Sequence, residues 1–317
     1  MTTPQLITYE EASPLVTWFN AVSALRKGHR LPKAQVSDIF LGPSDGSLLS
    51  RGAYIKGLGF GVKSVTVFGD NPAANLPTVQ GAMLVFDPAH GQINAIIESK
   101  LVTELKTAAD SVLGALLLAR PNSETLLIVG AGTVACSLIH AYTATFPSIR
   151  RVLVWARRAE QAVAVAGDVR VQGVKIAAAA DLETAAAEAD IISTATMARE
   201  PVLRRAWIRP GTHVDLIGAF KADMREADDA LISEGSVFVD SRDTTIDHIG
   251  ELKIPIASGV ITADAVRGDL YDLVGNAATG RETAAEITVF KNGGGAHLDL
   301  MIADYIAKVV TEATAVA

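Results

Sequence analysis

The chain has 317 residues, 49% of them hydrophobic and 20% charged, with a formal net charge of -7 at pH 7. This is the composition of an ordinary globular protein that is long enough for two domains. The acidic balance and the lack of a dense Lys/Arg cluster argue against nucleic acid as a partner. Cys136 is the single cysteine, which excludes an intrachain disulfide, and its place in a stretch of small residues predicts a structural role.

The N-terminal stretch MTTPQLITYEEASPL lacks the basic and then apolar layout of a secretory signal. No uninterrupted apolar run reaches the ~20 residues that a membrane span needs. We therefore expect a cytoplasmic protein with no membrane partner, and we expect no metal site.

The first predicted elements are a short strand at Leu6 and Ile7 and a helix that begins near Thr8 or Ser13 and ends at Gly28. Short apolar or alternating runs separated by turn residues follow between residues 34 and 98, and they predict a largely antiparallel sheet. A helix rich in Ala and Leu is predicted for 103–120, where Pro121 ends it.

The stretch TLLIVGAGTVACS, at 125–137, has the pattern of a buried parallel strand, a glycine turn and a helix opened by small residues. As a dinucleotide fingerprint, it uses Gly130 for the tight turn, Gly132 for the approach of a pyrophosphate and Ala135 as the third small residue. A second apolar run, at 151–155, follows after one helix-sized segment, as a strand-helix-strand unit requires. The alternative is a tight turn in some other α/β protein.

Further strands are predicted at 174–177, 191–194, 213–217 and 237–240, and they alternate with helical segments such as 181–189. This alternation predicts a doubly wound parallel sheet of the α/β class. Residues 268–280 have the composition of a mobile or surface segment, and a short strand follows within 282–290. The last helix, from His297 onward, is expected to fold back on the N-terminal part.

Seven motifs occur in order along nearly the whole chain: LPK at 31–33, GVKSV at 61–65, NLPTVQG at 75–81, LKTAADS at 105–111, IVGAGTVA at 128–135, GTHVDLIGAF at 211–220 and EITVF at 286–290. With them the chain resembles the ornithine cyclodeaminase and mu-crystallin family. The resemblance implies a Rossmann-type domain at 119–285 and a smaller α+β domain, 1–118 with 286–317, for substrate binding and homodimer formation. It also implies an active site in the cleft where the domains meet.

Four cationic residues are candidates for the substrate site. Lys63 interrupts an apolar strand pattern, and the family's motif has its active-site lysine there. Lys106 stands where the family usually has an arginine that grips the substrate carboxylate; lysine keeps the charge but loses the bidentate fork. Lys33 resembles a further carboxylate contact, and Arg51 lies near an active-site arginine of the alanine dehydrogenase branch. A solvated strand edge or helix surface is the alternative for each of them.

The cofactor is expected to contact the glycine turn and the ends of the later strands. The candidate residues are Thr107, Gly130, Ala131, Gly132, Thr133, Val134, Ala135, Ala156, Arg157, Arg158, Thr194, Ala195, Thr196, Ile217 and Gly218. After Trp155 a NAD-specific site usually has Asp or Glu, whereas this chain has Arg157 and Arg158. Two guanidinium groups suit a 2'-phosphate, so NADPH is expected to be preferred, with NADH also accepted.

The string Gly218-Ala219-Phe220-Lys221 bears on the reaction. Cyclodeaminases of the family have, at the place of Phe220, an aspartate that engages the substrate's side-chain amine, and a phenyl ring cannot do so. The resemblance therefore favours a ketimine reductase that converts Δ1-pyrroline-2-carboxylate to L-proline, with Δ1-piperideine-2-carboxylate to L-pipecolate as a second reaction. The alternatives are alanine dehydrogenase or another open-chain imino acid reductase, ornithine cyclodeaminase with Asp223 as the replacement carboxylate, and a non-enzymatic NADPH-binding protein.

Overall fold

The computed structural model describes residues 4–43 and 45–316. Its strands form two separate sheets. The strands are β1 (Gln5–Ile7), β2 (Gln35–Leu41), β3 (Ser47–Ile55), β4 (Gly59–Val67), β5 (Val79–Phe86), β6 (Ile93–Glu98), β7 (Thr125–Val129), β8 (Arg151–Trp155), β9 (Lys175–Ala178), β10 (Ile191–Thr194), β11 (His213–Leu216), β12 (Ser236–Val239), β13 (Val266–Gly268) and β14 (Thr288–Lys291).

The helices are α1 (Tyr9–Ala12), α2 (Trp18–Gly28), α3 (Ser99–Leu118), α4 (Thr133–Thr145), α5 (Ala159–Asp168), α6 (Leu182–Glu188), α7 (Asp229–Glu234), α8 (Arg242–Thr245), α9 (Gly250–Ala257), α10 (Leu270–Val274) and α11 (Ala296–Val316). Short 3-10 turns lie at Asn71–Ala74, Arg205–Trp207 and Ala263–Ala265. Within the described ranges, none of the helices has both the length and the apolar character of a membrane-spanning segment.

The described chain divides into two compact units. The first holds the residues up to Lys106 and those from Gly295 onward, and the second is Thr107–Gly294. The expected boundaries at 118 and 286 differ from these in two elements. The residues of α3 from Thr107 onward belong to the second unit, and so does β14, because β14 pairs with β11 and β12.

The sheet of the first unit has the strand order β1-β6-β5-β4-β3-β2. Strands β2 to β6 pair antiparallel, as their short alternating runs predicted, and β1 adds to β6 in parallel. Helix α11 packs on one face of this sheet and against α2, which confirms that the last helix folds back on the N-terminal part. Odd-numbered residues of β4 face α11: a Cβ on Gly61 would lie 2.9 Å from Leu300 Cδ1.

The sheet of the second unit has the order β13-β12-β14-β11-β10-β7-β8-β9, and its strands pair in parallel. The predicted α/β class is therefore confirmed. Strands β7, β10 and β11 are buried on both faces, because helices follow each of them. Their carboxyl ends lie side by side, which is where such sheets bind ligands.

The expectation of a mobile or surface segment at 268–280 is wrong for its central part. Residues 270–274 form α10, whose N-terminus carries a capping box between Asp269 and Asp272. Leu270 and Leu273 are buried beneath it. A helix of five residues is too short to show a periodic pattern, and the flanking glycines favour the prediction of a loop.

Candidate active-site residues

The glycine turn after β7 has the geometry that a dinucleotide needs. Gly130 adopts a φ of 133°, and a Cβ there would lie 2.6 Å from the carbonyl oxygen of Ala195, so only glycine fits. Gly132 is the N-cap of α4, and a Cβ on it would meet nothing within 4 Å. The first amides of α4 are therefore accessible to an anionic group.

A cavity of about 340 Å³ opens at this turn in the second unit. Its wall includes eight of the candidates: Gly130, Ala131, Gly132, Ala156, Arg157, Arg158, Ala195 and Thr196. It also includes five residues that the sequence did not indicate: Trp155, Gln161, Met197, Ala198 and Val202. The remaining candidates, Thr107, Thr133, Val134, Ala135, Thr194, Ile217 and Gly218, do not line it.

The charged side chains in the described wall of the cavity are both cationic. Arg157 and Arg158 lie two and three residues after the end of β8 and are exposed to solvent. Among the described residues that line the cavity, none is an Asp or a Glu. A phosphate group would meet two guanidinium groups here and no carboxylate.

The buried carboxylate of Glu226 holds the strand ends next to the cavity, and sequence reasoning missed it. It accepts hydrogen bonds from the backbone N–H of Thr196 at 2.8 Å and from that of Gly218 at 2.6 Å. The hydroxyl groups of Thr194 and Thr196 also donate to it, both at 2.7 Å. These two hydroxyl protons are therefore used within the protein, and Thr194 is fully buried.

In the first unit, Lys63 lies on the face of β4 that α11 covers. Its ammonium group donates to Asp299 Oδ1 of α11 at 2.7 Å, and both side chains are almost fully buried. Among the described residues, Asp299 Oδ2 has no hydrogen-bond partner. Asp299 is also a residue that the sequence did not indicate, because 236 positions separate it from Lys63.

The other three predicted cations of the first unit, Lys106, Arg51 and Lys33, differ in burial and in ion pairing. Lys106, in α3, is buried with 9% of its surface exposed, and no described carboxylate lies within ion-pair distance of it. Arg51 sits directly opposite Lys63 across β3 and β4, and its guanidinium pairs with Asp38 at 2.5 Å. Lys33 is exposed.

Lys106 and Arg51 lower the pKa values of the same two side chains, Lys63 and His297. Burial lowers the pKa of Lys63, Asp299 opposes that effect, and Lys106 and Arg51 lower it further. Burial also lowers the pKa of His297 well below its ordinary value, and His29, Lys106, Arg51 and Lys33 add to the shift. His297, which the sequence left without a role, is thus a neutral imidazole among cations.

Phe220 and Cys136 are two further side chains of the second unit that bear on the reaction. Phe220 is 52% exposed, and the ammonium of Lys221 lies 5.5 Å from its ring centroid. Cys136 is half-buried in α4, and burial raises the pKa of its thiol, which disfavours the reactive thiolate. The described residues include no group of three or more His, Cys, Asp or Glu that could hold a metal ion.

Residues 31–314 match the model of the ornithine cyclodeaminase/mu-crystallin family. The chain belongs to this family. It is 62% identical over 307 residues to a Delta(1)-pyrroline-2-carboxylate reductase of Paracoccus denitrificans, with 97% of each chain covered.

Two solved structures of the same fold cover 98% of this chain. One is a Delta(1)-pyrroline-2-carboxylate reductase of Thermococcus litoralis in complex with NADH and L-proline, with 27% identity, 98% of that chain covered and a TM-score of 0.91. The other is an archaeal alanine dehydrogenase dimer with bound NAD, with 28% identity, 97% of that chain covered and a TM-score of 0.90.

Proposed function

We propose that this chain is an NAD(P)H-dependent reductase of small cyclic imino acids, which reduces Δ1-pyrroline-2-carboxylate to L-proline and Δ1-piperideine-2-carboxylate to L-pipecolate. The observation that carries the proposal is the buried ion pair between Lys63 and Asp299, together with Lys106 and Arg51, which lower the pKa of Lys63. Such a group of cations suits a small carboxylate substrate. The 62% identity to a Delta(1)-pyrroline-2-carboxylate reductase supports the substrate class.

The substrate carboxylate is assigned to Lys106, with Lys33 as a second contact. Lys106 is buried and has no described carboxylate within ion-pair distance, so an anion would compensate its charge. Arg51 is already paired with Asp38, and its assigned role is the lowering of the Lys63 pKa. The carboxylate and the imine nitrogen of such a substrate are separated by one carbon, which suits two cations close enough for Lys106 to lower the pKa of Lys63.

Lys63 is assigned as the proton donor to the imine nitrogen. A bound nicotinamide supplies the hydride that the imine carbon accepts. The nitrogen must then gain a proton, and a lysine with a lowered pKa releases one more readily than an ordinary lysine does. Asp299 keeps the Lys63 ammonium in place and helps to keep it charged.

NADPH is proposed as the preferred cofactor, with NADH also accepted. The two arginines and the absence of a carboxylate in the described cavity wall support this preference. The solved relatives bind NADH or NAD, which supports a nicotinamide cofactor in general.

We also propose a homodimer that works in the cytoplasm. The face of the first unit's sheet that points away from α11 carries exposed apolar side chains, including Leu6, Ile39, Leu41 and Phe60, which are 64%, 55%, 57% and 47% exposed. A patch of this kind is typical of a protein interface. The archaeal alanine dehydrogenase of the same fold is a dimer.

A substrate panel tests the proposed function. Five- and six-membered cyclic imines with a 2-carboxylate, and pyruvate or other 2-oxo acids with ammonia, are supplied in turn with NADPH and with NADH. We expect oxidation of NADPH with the cyclic imines at a kcat/KM at least tenfold above that with any open-chain mixture. Faster turnover with a 2-oxo acid and ammonia would instead assign the chain to open-chain imino acid reduction.

A further inference from the structure

Glu226 is the point at which two strand ends of the second unit are tied together. Its Oε1 accepts from the N–H and the hydroxyl of Thr196, and its Oε2 accepts from the Thr194 hydroxyl and the N–H of Gly218. Thr194 ends β10, and Gly218 follows β11 by two residues. Glu226 has no exposed surface, so these four donors replace water around its charge.

Two of the four donors are backbone amides, which cannot rotate away or become acceptors. One faces each carboxylate oxygen, so only a group with two acceptor oxygens fits. Space is equally restricted: a Cβ on Gly218 would lie 2.5 Å from Glu226 Oε1 and 2.1 Å from the carbonyl oxygen of Thr196. The Thr196 hydroxyl in turn accepts from the N–H of Ala198 at 3.3 Å.

This arrangement fixes one wall of the cavity at the glycine turn. Ala195, Thr196, Met197 and Ala198 all line that cavity, and the loop they form is anchored through Thr196 to Glu226. Glu226 itself is not among the lining residues. Its effect on a ligand must therefore be transmitted through the loop.

A second buried carboxylate anchors Glu226. Glu251, in the first turn of α9, accepts from the N–H of Glu226 at 2.8 Å and from that of Ala227 at 2.9 Å. Lys291, fully buried at the end of β14, donates to the carbonyl oxygen of Leu216 at 2.8 Å, and both carboxylates raise its pKa against the lowering effect of burial. A group of charged side chains this deeply buried seldom adds stability over apolar packing, so another role for Glu226 and Glu251 is worth testing.

We propose that Glu226 is a positioning residue, which sets the loop 195–198 for binding the nicotinamide cofactor, and that Glu251 fixes Glu226 in turn. These two assignments rest on the proposed function only because they assume that the cavity binds that cofactor. Neither carboxylate is assigned a contact with cofactor or substrate.

The variant Glu226→Gln tests this role, because it keeps the shape but turns an NH₂ group toward one of the two backbone amides. We expect the Kd for NADPH, measured by calorimetric titration without substrate, to rise about tenfold or more. The KM for the imine at saturating NADPH should change less than threefold. Glu251→Gln, farther from the cavity, should raise the Kd in the same direction by a smaller factor.

Asp190→Asn is the matched control. Asp190 is also a buried carboxylate of the second unit, and it accepts from two backbone amides, those of Glu124 and Thr125. These lie at the start of β7, the end of the strand opposite the glycine turn. We expect Asp190→Asn to lower the melting temperature but to leave the Kd for NADPH within twofold of the original.

A Kd for NADPH that is unchanged in both Glu226→Gln and Glu251→Gln would overturn the proposal. An equal rise of the Kd in Asp190→Asn would overturn it too, because general destabilisation would then explain the effect. If Glu226→Gln does not fold, the comparison of Glu251→Gln with Asp190→Asn decides. Since the Kd is measured without turnover, an unaltered protein that binds NADPH but reduces no imine would contradict the proposed function and leave this test valid.

Discussion

Lys63 shows how a single side chain can be predicted in type but not in environment. Its place in GVKSV, between residues that alternate across β4, indicated a charge on a mostly apolar strand face. The partner that makes burial of this charge possible, Asp299, comes from α11 at the other end of the chain. Nothing local in the sequence relates the two residues, so the ion pair could not be predicted from periodicity.

The first prediction concerns the pH dependence of turnover. If Lys63 donates the proton, kcat falls as pH rises through its lowered pKa, and Lys63→Met abolishes turnover. Asp299→Asn removes a charge that raises this pKa, so the alkaline limb should move to lower pH. Lys106→Met removes a charge that lowers it, so the limb should move to higher pH.

The measurement is the kcat–pH profile at saturating imine and NADPH, which separates proton delivery from carboxylate binding. Lys106→Met is expected to raise the KM for the imine as well. If the alkaline limbs of the unaltered protein, Asp299→Asn and Lys106→Met coincide, another group supplies the proton. The same conclusion follows if both variants shift the limb in the same direction.

The second prediction concerns Arg157 and Arg158. Arg157→Asp and Arg158→Asp should each raise the KM for NADPH about tenfold or more while changing that for NADH little, since aspartate repels a 2'-phosphate. Arg170→Asp, on the surface after α5 and outside the cavity wall, is the control. An unchanged ratio of the two KM values in both variants would remove the two arginines from the cofactor site.

At the scale of the elements, the stretch 125–137 was predictable because strand, turn and helix are each coded locally. β7 and α4 lie where the apolar run and the small residues put them, and the φ of Gly130 explains the glycine. Glu226 was not predictable in the same way. It stands in a polar stretch, and its burial depends on three other parts of the chain: Thr194 in β10, Gly218 after β11 and Glu251 in α9.

The motif NLPTVQG gives a prediction on stability. Gly81 lies in β5 opposite Val65, and a Cβ there would lie 2.0 Å from the carbonyl oxygen of Ser64. Backbone atoms of a paired strand cannot yield as side chains do, so Gly81→Ala should lower the free energy of unfolding by on the order of 2–3 kcal/mol. Urea unfolding followed by circular dichroism measures this.

Gly69→Ala provides the comparison, because a Cβ on Gly69 would meet nothing within 4 Å. It should change the free energy of unfolding by less than about 0.5 kcal/mol. If the two alanine variants are equally stable, the close approach of β4 and β5 at Gly81 does not exist in solution.

At the scale of the whole molecule, the exposed apolar face of the first unit's sheet predicts oligomerisation. We expect the protein to elute as a dimer in size-exclusion chromatography with light scattering. The double variant Ile39→Asp/Phe60→Asp should shift it toward the monomer, because both side chains lie on that face. Val163→Asp, equally apolar and 60% exposed on α5 of the second unit, should leave the dimer intact.

A monomer before any substitution, or a dimer that persists in the double variant, would show that this face is not the interface. The order of strands and helices was predictable at this scale, whereas the place of β14 in the sheet was not. β14 lies far along the chain from β11 yet pairs with it, and a sequence pattern does not report such pairings.

The most direct test of the account is the fate of two substrates with the purified protein. With Δ1-pyrroline-2-carboxylate and NADPH, we expect one L-proline for each NADPH oxidised. With ornithine and NAD we expect neither ammonia nor proline, because Phe220 cannot hold or deprotonate a second amine. Stoichiometric ammonia from ornithine, or no oxidation of NADPH by the cyclic imine, would contradict the account.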